Sequence, residues 1–277
     1  MPAPTSSFRH IFHPTDLSHA SAPAFHHALA LAVAARAKLT VMHVAGNDRI
    51  HRNELPGVRE TLQRWGHIGP VDSESELASM GLAVRKVISK GLDPVKACLD
   101  QLARHPAQLV VLSTGQHQGH MRWLERSVSE ELMRGSQTPT LFLPHGVVGW
   151  VDPMTGRMEP PHTLITTCNG KDLHQPWKAL MDLFTLFRVP PPDPVILHVK
   201  QGNRIPSIGP LATHLIEVEG PVIPSIVRRS AEMGLLVMGT EGPHGIFDAM
   251  RGTTTEQVLR QLNCPLLAVP LTTGAGG

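Results

Sequence analysis

Leu235-Leu-Val-Met-Gly239-Thr-Glu-Gly242, nine further residues, and Gly252-Thr253-Thr254 read as a strand, a glycine loop and a helix start in one run. The apolar stretch Leu235–Met238 suits a strand buried on both faces of a parallel sheet. Gly239 stands at its carboxyl end, where open α/β sheets bind ligands. Glycine has no Cβ, so the backbone can come close to a bound group. Thr253 is followed three residues later by Glu256, a capping-box pattern that opens a helix. A helix start offers unpaired N–H groups and partial positive charge, which suit phosphate. Loops before helices are often glycine-rich without any ligand, and a capping box needs none. Three glycines and a hydroxyl between a buried strand and a capped helix favour an anion cradle.

The same stretch occurs twice. Leu109–Pro144 aligns with Leu235–Pro270 at a constant offset of 126 without a gap. Leu109, Val111, Thr114, Gly119, Glu130, Arg134, Pro139, Leu141 and Pro144 meet identical residues in the second copy. Upstream, Leu39–Val44 resembles Pro194–Val199, and Ile11–Asp16 lies over Leu164–Asn169. A period of half the chain is a duplicated domain, not a solenoid. Residues 1–145 and 163–277 are the expected domains. Gly146–His162 is the linker, and its Asp152-Pro-Met-Thr-Gly156 turn suggests a hairpin.

Within the first copy, strands are expected at Arg9–His13, Leu39–Val44, Leu82–Ser89, Leu109–Ser113 and Thr140–Leu143. Helical spacing covers Ala22–Val33, Leu55–Trp65, Pro94–Arg104 and Ser127–Met133. Strands alternating with helices give an α/β fold with a parallel sheet wrapped by helices.

Composition narrows the function. The 25 basic and 23 acidic residues nearly cancel, and no Lys/Arg run marks a nucleic-acid face. No stretch of 18 apolar residues suggests a membrane span. Three separated cysteines, Cys98, Cys168 and Cys264, form no CxxC pair, which argues for a reducing, cytoplasmic setting. No signal peptide is evident.

Gly239-x-x-Gly242, nine residues and Gly252-Thr253 resemble the ATP-binding signature of universal stress proteins. His13-Pro-Thr-Asp16-Leu-Ser18, Val41-Met-His43-Val44 and Cys264-Pro265–Pro270 resemble the first, second and closing strands of that family. The resemblance covers nearly the whole chain, twice. It implies two tandem Rossmann-like domains of the adenine nucleotide alpha hydrolase-like type, each a five-stranded parallel sheet flanked by helices. It also implies dimerisation, and adenine nucleotide held between the first-strand acid, the second-strand valine and the glycine loop. The nucleotide-binding set is then Asn169, Val199, Gly239, Gly242, Gly252, Thr253 and Thr254, with ATP as the ligand and Mg2+ where hydrolysis is considered.

The copies depart from that pattern differently. In the first, the glycines become Ser113, Gln116 and Arg126, while Ser127-x-x-Glu130 keeps the capping box. With Asp16 and Val44 these form a degenerate site, and Arg126 is expected to fill it, paired with an acid such as Asp16. In the second, Asn169 replaces the acid; it can hydrogen-bond an adenine or ribose but supplies no charge. Asp16 reads either as a ligand contact or as a cap for the helix starting near Ser18.

Other groups read as structural. His10 and His13 fall on opposite strand faces, so they cannot share a metal. His26 and His27 point to different sides of a helix, His43 and His198 occupy equivalent strand positions, and His117 and His120 read as loop histidines. No GxSxG and no Walker lysine is present. The expectation is a stress-response protein that binds ATP in its second half, without catalysis. The first half serves as an internal pseudo-dimer partner, and a further homodimer is left open. The alternatives are a slow ATP hydrolase or phosphoryl-transfer enzyme, which would ask His244 or Asp248 to position water, and a module for another small ligand or a protein. The two halves are expected to relate by an approximate two-fold axis, with Thr140–Leu143 and Leu266–Val269 near a shared interface.

Overall fold

The computed structural model describes residues 7–69, 73–114, 126–167, 173–200, 215–240 and 254–271. The first half runs β1 (His10–Pro14), α1 (Ala22–Ala35), β2 (Lys38–Val44), α2 (Val58–Arg64), α3 (Ser73–Ser79), β3 (Ala83–Ser89), α4 (Pro94–Arg104), β4 (Leu109–Thr114), α5 (Arg126–Ser136) and β5 (Thr140–Pro144). The second runs β6 (Thr163–Thr167), α6 (His174–Phe184), β7 (Val195–Lys200), β8 (Leu215–Glu219), α7 (Val222–Ser230), β9 (Leu235–Thr240), α8 (Thr254–Leu259) and β10 (Leu266–Pro270). The strands expected in the first half all form, with ends shifted by a residue or less. Helix α3, strand β8 and helix α7 had no separate signal in the sequence reading.

All ten strands join one sheet in the order β3-β2-β1-β4-β5-β10-β9-β6-β7-β8. Matching β6 to β1, β7 to β2, β8 to β3, β9 to β4 and β10 to β5, the order reads the same from either edge. Pairing is parallel within each half and antiparallel only at β5–β10. The closing strands therefore meet as expected, through Leu266↔Phe142, Leu267↔Leu141 and Ala268↔Thr140. Joined this way, neither apolar strand is left as an open edge.

Successive strand residues feed opposite layers. Ile11, Val41, Val111, Leu141, Ile165, Val237 and Leu267 pack with α1 and α6. Phe12, Met42, Val110, Phe142, Leu164, Leu236 and Ala268 pack on the other face, with Leu132, Met133, Ile226 and Val258 from α5, α7 and α8. His10 and His13 separate accordingly: His10 bonds Pro106 O and Thr40 Oγ1, while His13 lies near Phe25 of α1. Asp93 caps α4 by accepting Lys96 N–H at 2.9 Å, and Pro94 follows as a favoured first helical residue. Cys98 and Cys264 are buried free thiols, and burial pushes them up to about 12 and about 11.

A buried ion pair crosses between the halves. Arg134 of α5 reaches Glu256 of α8, whose carboxylate is 1% exposed. Glu256 thus has a role beyond the helix cap for which the sequence singled it out.

Between β5 and β6, Val151 and Met158 form an antiparallel bridge. Asp152 Oδ1 closes its turn by accepting Met154 N–H at 2.7 Å and Thr155 N–H at 2.9 Å. This hairpin docks on the first half: Trp65 Nε1–H donates to Pro153 O at 3.1 Å. Trp150 N–H donates to His27 Nε2 at 3.1 Å, while His27 Nδ1–H donates to Pro23 O at 2.7 Å. The ring is fully buried and satisfied as neutral imidazole, and burial holds its pKa down to about 4. Trp150 also packs at 5.3 Å on Phe187, just past α6, so the hairpin ties both halves together.

Candidate functional site

In each half the strand order reverses direction beside the first strand, at β1/β4 and at β6/β9. Such a switch point leaves a crevice at the carboxyl ends of the strands, where doubly wound sheets take ligands. The sequence-predicted residues that are described lie around these two crevices.

In the first half, His13 lies near the carboxyl end of β1, buried against Phe25 of α1. The β1–β4 ladder runs only through Ile11↔Leu109 and Phe12↔Val110. One residue further, His13 Nδ1 lies 2.8 Å from Val111 O. A carbonyl only accepts, so Nδ1 carries the proton. The ring is fully buried and its Nε2 has no hydrogen-bond partner among the described residues. Burial lowers its pKa to about 4, against smaller upward pulls from the Val111 carbonyl and Asp16. The sequence reading missed this bond, and the strand registers, which set Phe12 over Leu164, shift the alignment of Ile11–Asp16 by one residue, so that His13 corresponds to Ile165.

Of the two sequence readings of Asp16, the structure addresses the helix cap. Its Oδ1 accepts Ser18 N–H at 2.9 Å and Ser18 Oγ–H at 2.7 Å. It thereby braces a turn rather than capping α1, whose preceding residue Ser21 makes no side-chain cap bond. Within that turn Leu17 takes φ 65°, an uncommon conformation for a branched side chain. Leu17 N–H donates to Thr15 Oγ1 at 3.1 Å, which helps hold it there. His43, expected to be structural, joins the second strand to this loop by donating Nδ1–H to Thr15 O at 2.9 Å. Ser113, the counterpart of Gly239, is 2% exposed, and its hydroxyl has no partner among the described residues. Val44 is buried in the core. Gln116, His117 and His120 lie outside the described residues. Arg126 and Ser127 fall in the first turn of α5, but their side chains are outside the description, so the expected Arg126–Asp16 pair is too.

In the second half, β6 and β9 stay paired through Thr163↔Leu235 to Thr166↔Met238. Gly239 sits at the carboxyl end of β9, beside β6 and β10. A Cβ there would lie 3.0 Å from the Leu271 side chain, so packing within the protein already favours glycine. The first half avoids this contact because His145, the counterpart of Leu271, is exposed. Val199 is fully buried, which leaves its backbone as the part able to meet a ligand. Thr254 is half-buried at the start of α8. Asn169, Gly242, Gly252 and Thr253 lie outside the described residues. Among the described residues, no three His, Cys, Asp or Glu side chains are placed to share a metal, and no helix is long and apolar enough to cross a membrane.

A model of the universal stress protein family matches residues 7–144 and 196–270. The chain belongs to this family. This universal stress protein carries the match in two segments, consistent with the tandem arrangement. Residues 145–195, which hold the hairpin, β6, Asn169 and α6, fall outside the match. No curated protein matches the chain in sequence. Among solved structures it is similar to a universal stress protein from Archaeoglobus fulgidus DSM 4304, at 15% identity and a TM-score of 0.56, covering 94% of this chain and 98% of the other. It is also similar to a functionally unknown protein from Pseudomonas aeruginosa PAO1, at 14% identity and a TM-score of 0.58, covering 95% and 93%. At these identities the likeness is one of fold.

Proposed function

We propose that this universal stress protein binds an adenine nucleotide, ATP, in its second half, and that the first half is a degenerate partner in an internal pseudo-dimer. The observation that carries the reading is the position of Gly239: the glycine signature begins at the switch point between β6 and β9. There Gly242 and Gly252 would bring backbone N–H groups to the phosphates, with Thr253 and Thr254 adding hydroxyls. Asn169, two residues past β6, would bond the adenine or ribose, and the Val199 backbone would line the same pocket. The nucleotide acts as a sensed or stabilising ligand in a stress-response protein rather than as a substrate, since a ligand that binds only the folded state stabilises it by mass action.

The test is calorimetric titration of ATP into the intact chain and into Gly252→Val. A β-branched side chain there intrudes on the phosphates and stiffens the loop. Losing two or three charge-assisted contacts, at about 1.5–3 kcal/mol each, should lower affinity at least a hundredfold. Circular dichroism should be unchanged, because the first copy folds with Arg126 at this position. Unchanged affinity in a folded variant would place the nucleotide elsewhere.

A further inference from the structure

The hairpin between β5 and β6 is seated on the imidazole of His27. Trp150 N–H donates to His27 Nε2 at 3.1 Å, and the buried indole stands edge-on to the ring at 4.5 Å. Gly149 lies so close that a Cβ would come within 2.4 Å of that ring and 3.1 Å of Leu143. On its other side Trp150 packs on Phe187 at 5.3 Å, so one residue touches both halves. The second bond that docks the hairpin, Trp65 Nε1–H to Pro153 O at 3.1 Å, involves no titrating group.

The contact with His27 needs one protonation state. Nδ1 faces the Pro23 carbonyl at 2.7 Å, which only accepts, so Nδ1 carries the proton and Nε2 offers its lone pair to Trp150 N–H. A proton added at Nε2 would point at the N–H it now accepts from, and two donors cannot bond. The resulting cation would also be fully buried, which is costly unless it is paired. No carboxylate acts on the ring: its electrostatic neighbours among the described residues are the Pro23 carbonyl and His26, and His26 lies 3.3 Å from Arg64 of α2. Strand β5 carries no charged side chain, and His145 just past it is exposed. On the hairpin, Asp152 Oδ1 is committed to the N–H groups of Met154 and Thr155, while Arg157 and Glu159 face each other from the exposed surface. Past α6, Arg188 acts on His67. Trp150 Nε1–H is buried without a partner among the described residues, so the indole gains a hydrogen bond to water on leaving.

We propose that this hairpin is an acid-released strap: protonation of His27 at Nε2 lifts Trp150 from its seat between His27 and Phe187, while the ten-stranded sheet stays intact. Release bares the indole together with the faces of Leu143 and Phe187 that Gly149 and Trp150 cover, so an apolar patch is offered only in acid. The device is separate from the glycine loop and does not rest on nucleotide binding.

Burial lowers the docked ring from 6.5 to about 4, so docking is fully favoured above about pH 6.5 and weakens as pH falls toward 4. Between pH 7.5 and pH 5 the ratio of released to docked hairpin should rise about thirtyfold. Hydrogen exchange of the intact chain, corrected for the intrinsic effect of pH, reads this as lost protection in residues 146–158, ahead of strands β5 and β6 on either side. His27→Gln, which keeps an acceptor for Trp150 N–H but does not titrate, should abolish the change, and His26→Gln should leave it. If His27→Gln is already undocked at pH 7.5, imidazole nitrogen NMR of the wild type decides: His27 protonation and loss of hairpin protection should share one midpoint. The proposal is overturned by unchanged protection in the wild type, by β5 and β6 opening together with the hairpin, by a response kept in His27→Gln or lost in His26→Gln, or by separate midpoints.

Discussion

At the carboxyl ends of β1 and β4 the first half holds His13 and Ser113; at the matching ends of β6 and β9, fixed by Phe12↔Val110 and Leu164↔Leu236, the second holds Ile165 and Gly239. In the first half an imidazole bonds across the strands, and the β1–β4 ladder stops after two residue pairs. The second keeps four pairs and bare backbone at Gly239. Strand order and core alternation are the same in both halves. Duplication has kept the strand order and the alternation that buries apolar area, and changed residues at the strand ends.

Acid should separate the halves most strongly. His13 and His27, both in the first half, are neutral when folded, with pKa values lowered from 6.5 to about 4 by burial. Their stabilising contribution is complete above about pH 6.5 and falls as pH drops from there toward 4, since the unfolded chain then binds protons that the folded one refuses. At pH 5 the loss should be about 2 kcal/mol for each histidine. Urea unfolding at pH 7 and pH 5 measures it, and hydrogen exchange should show the first half losing protection before the second. Even loss across both halves would break the contrast.

The ion pair between the halves comes next. Arg134→Met removes this cation from beside the buried Glu256 carboxylate, which should destabilise the chain by about 2–3 kcal/mol, reduced from the fully buried case because Arg134 is 36% exposed. The repeat aligns Arg134 with Arg260 and Glu256 with Glu130, so Arg260→Met should cost a similar amount. Chemical denaturation of both variants compares them, and a clearly smaller loss for Arg260→Met would show that the interface is not reciprocal.

Gly149→Ala tests the hairpin between the halves. With φ +80° and the His27 ring 2.4 Å from the new Cβ, the expected loss is about 2 kcal/mol. Thermal melting should register it as a lower midpoint; an unchanged midpoint would mean that the hairpin docks loosely. The smallest expected effect is that of Gly239→Ser, which gives the second crevice the residue of the first. Leu271 has to yield a few tenths of an ångström, so stability should barely change, while ATP affinity should fall about tenfold. Equal ATP affinity would assign this glycine to packing alone.

Much of this was legible in the residues. Alternating apolar positions, the gapless repeat and the Pro and Gly punctuation carried the strand–helix alternation, the duplication and the meeting of β5 with β10. Strand β8, Leu-Ile-Glu-Val-Glu, escaped notice because it is short, sits at the sheet edge and is half charged. The glycine signature was equally plain, being a local pattern with a local physical reason.

Contacts between distant residues were not legible. His13 meets Val111, His27 meets Trp150 and Arg134 meets Glu256 across about a hundred residues or more. Each histidine looked like any other on an apolar element, and Glu256 looked like a capping residue. The sequence by itself determined periodicity and backbone freedom, because these depend on neighbours along the chain. Only the tertiary structure decided which histidines bridge distant elements and which buried charge is paired across the halves. Hydrogen-bond partners and cavities are chosen by proximity in space, which exists only once the ten strands have been set side by side.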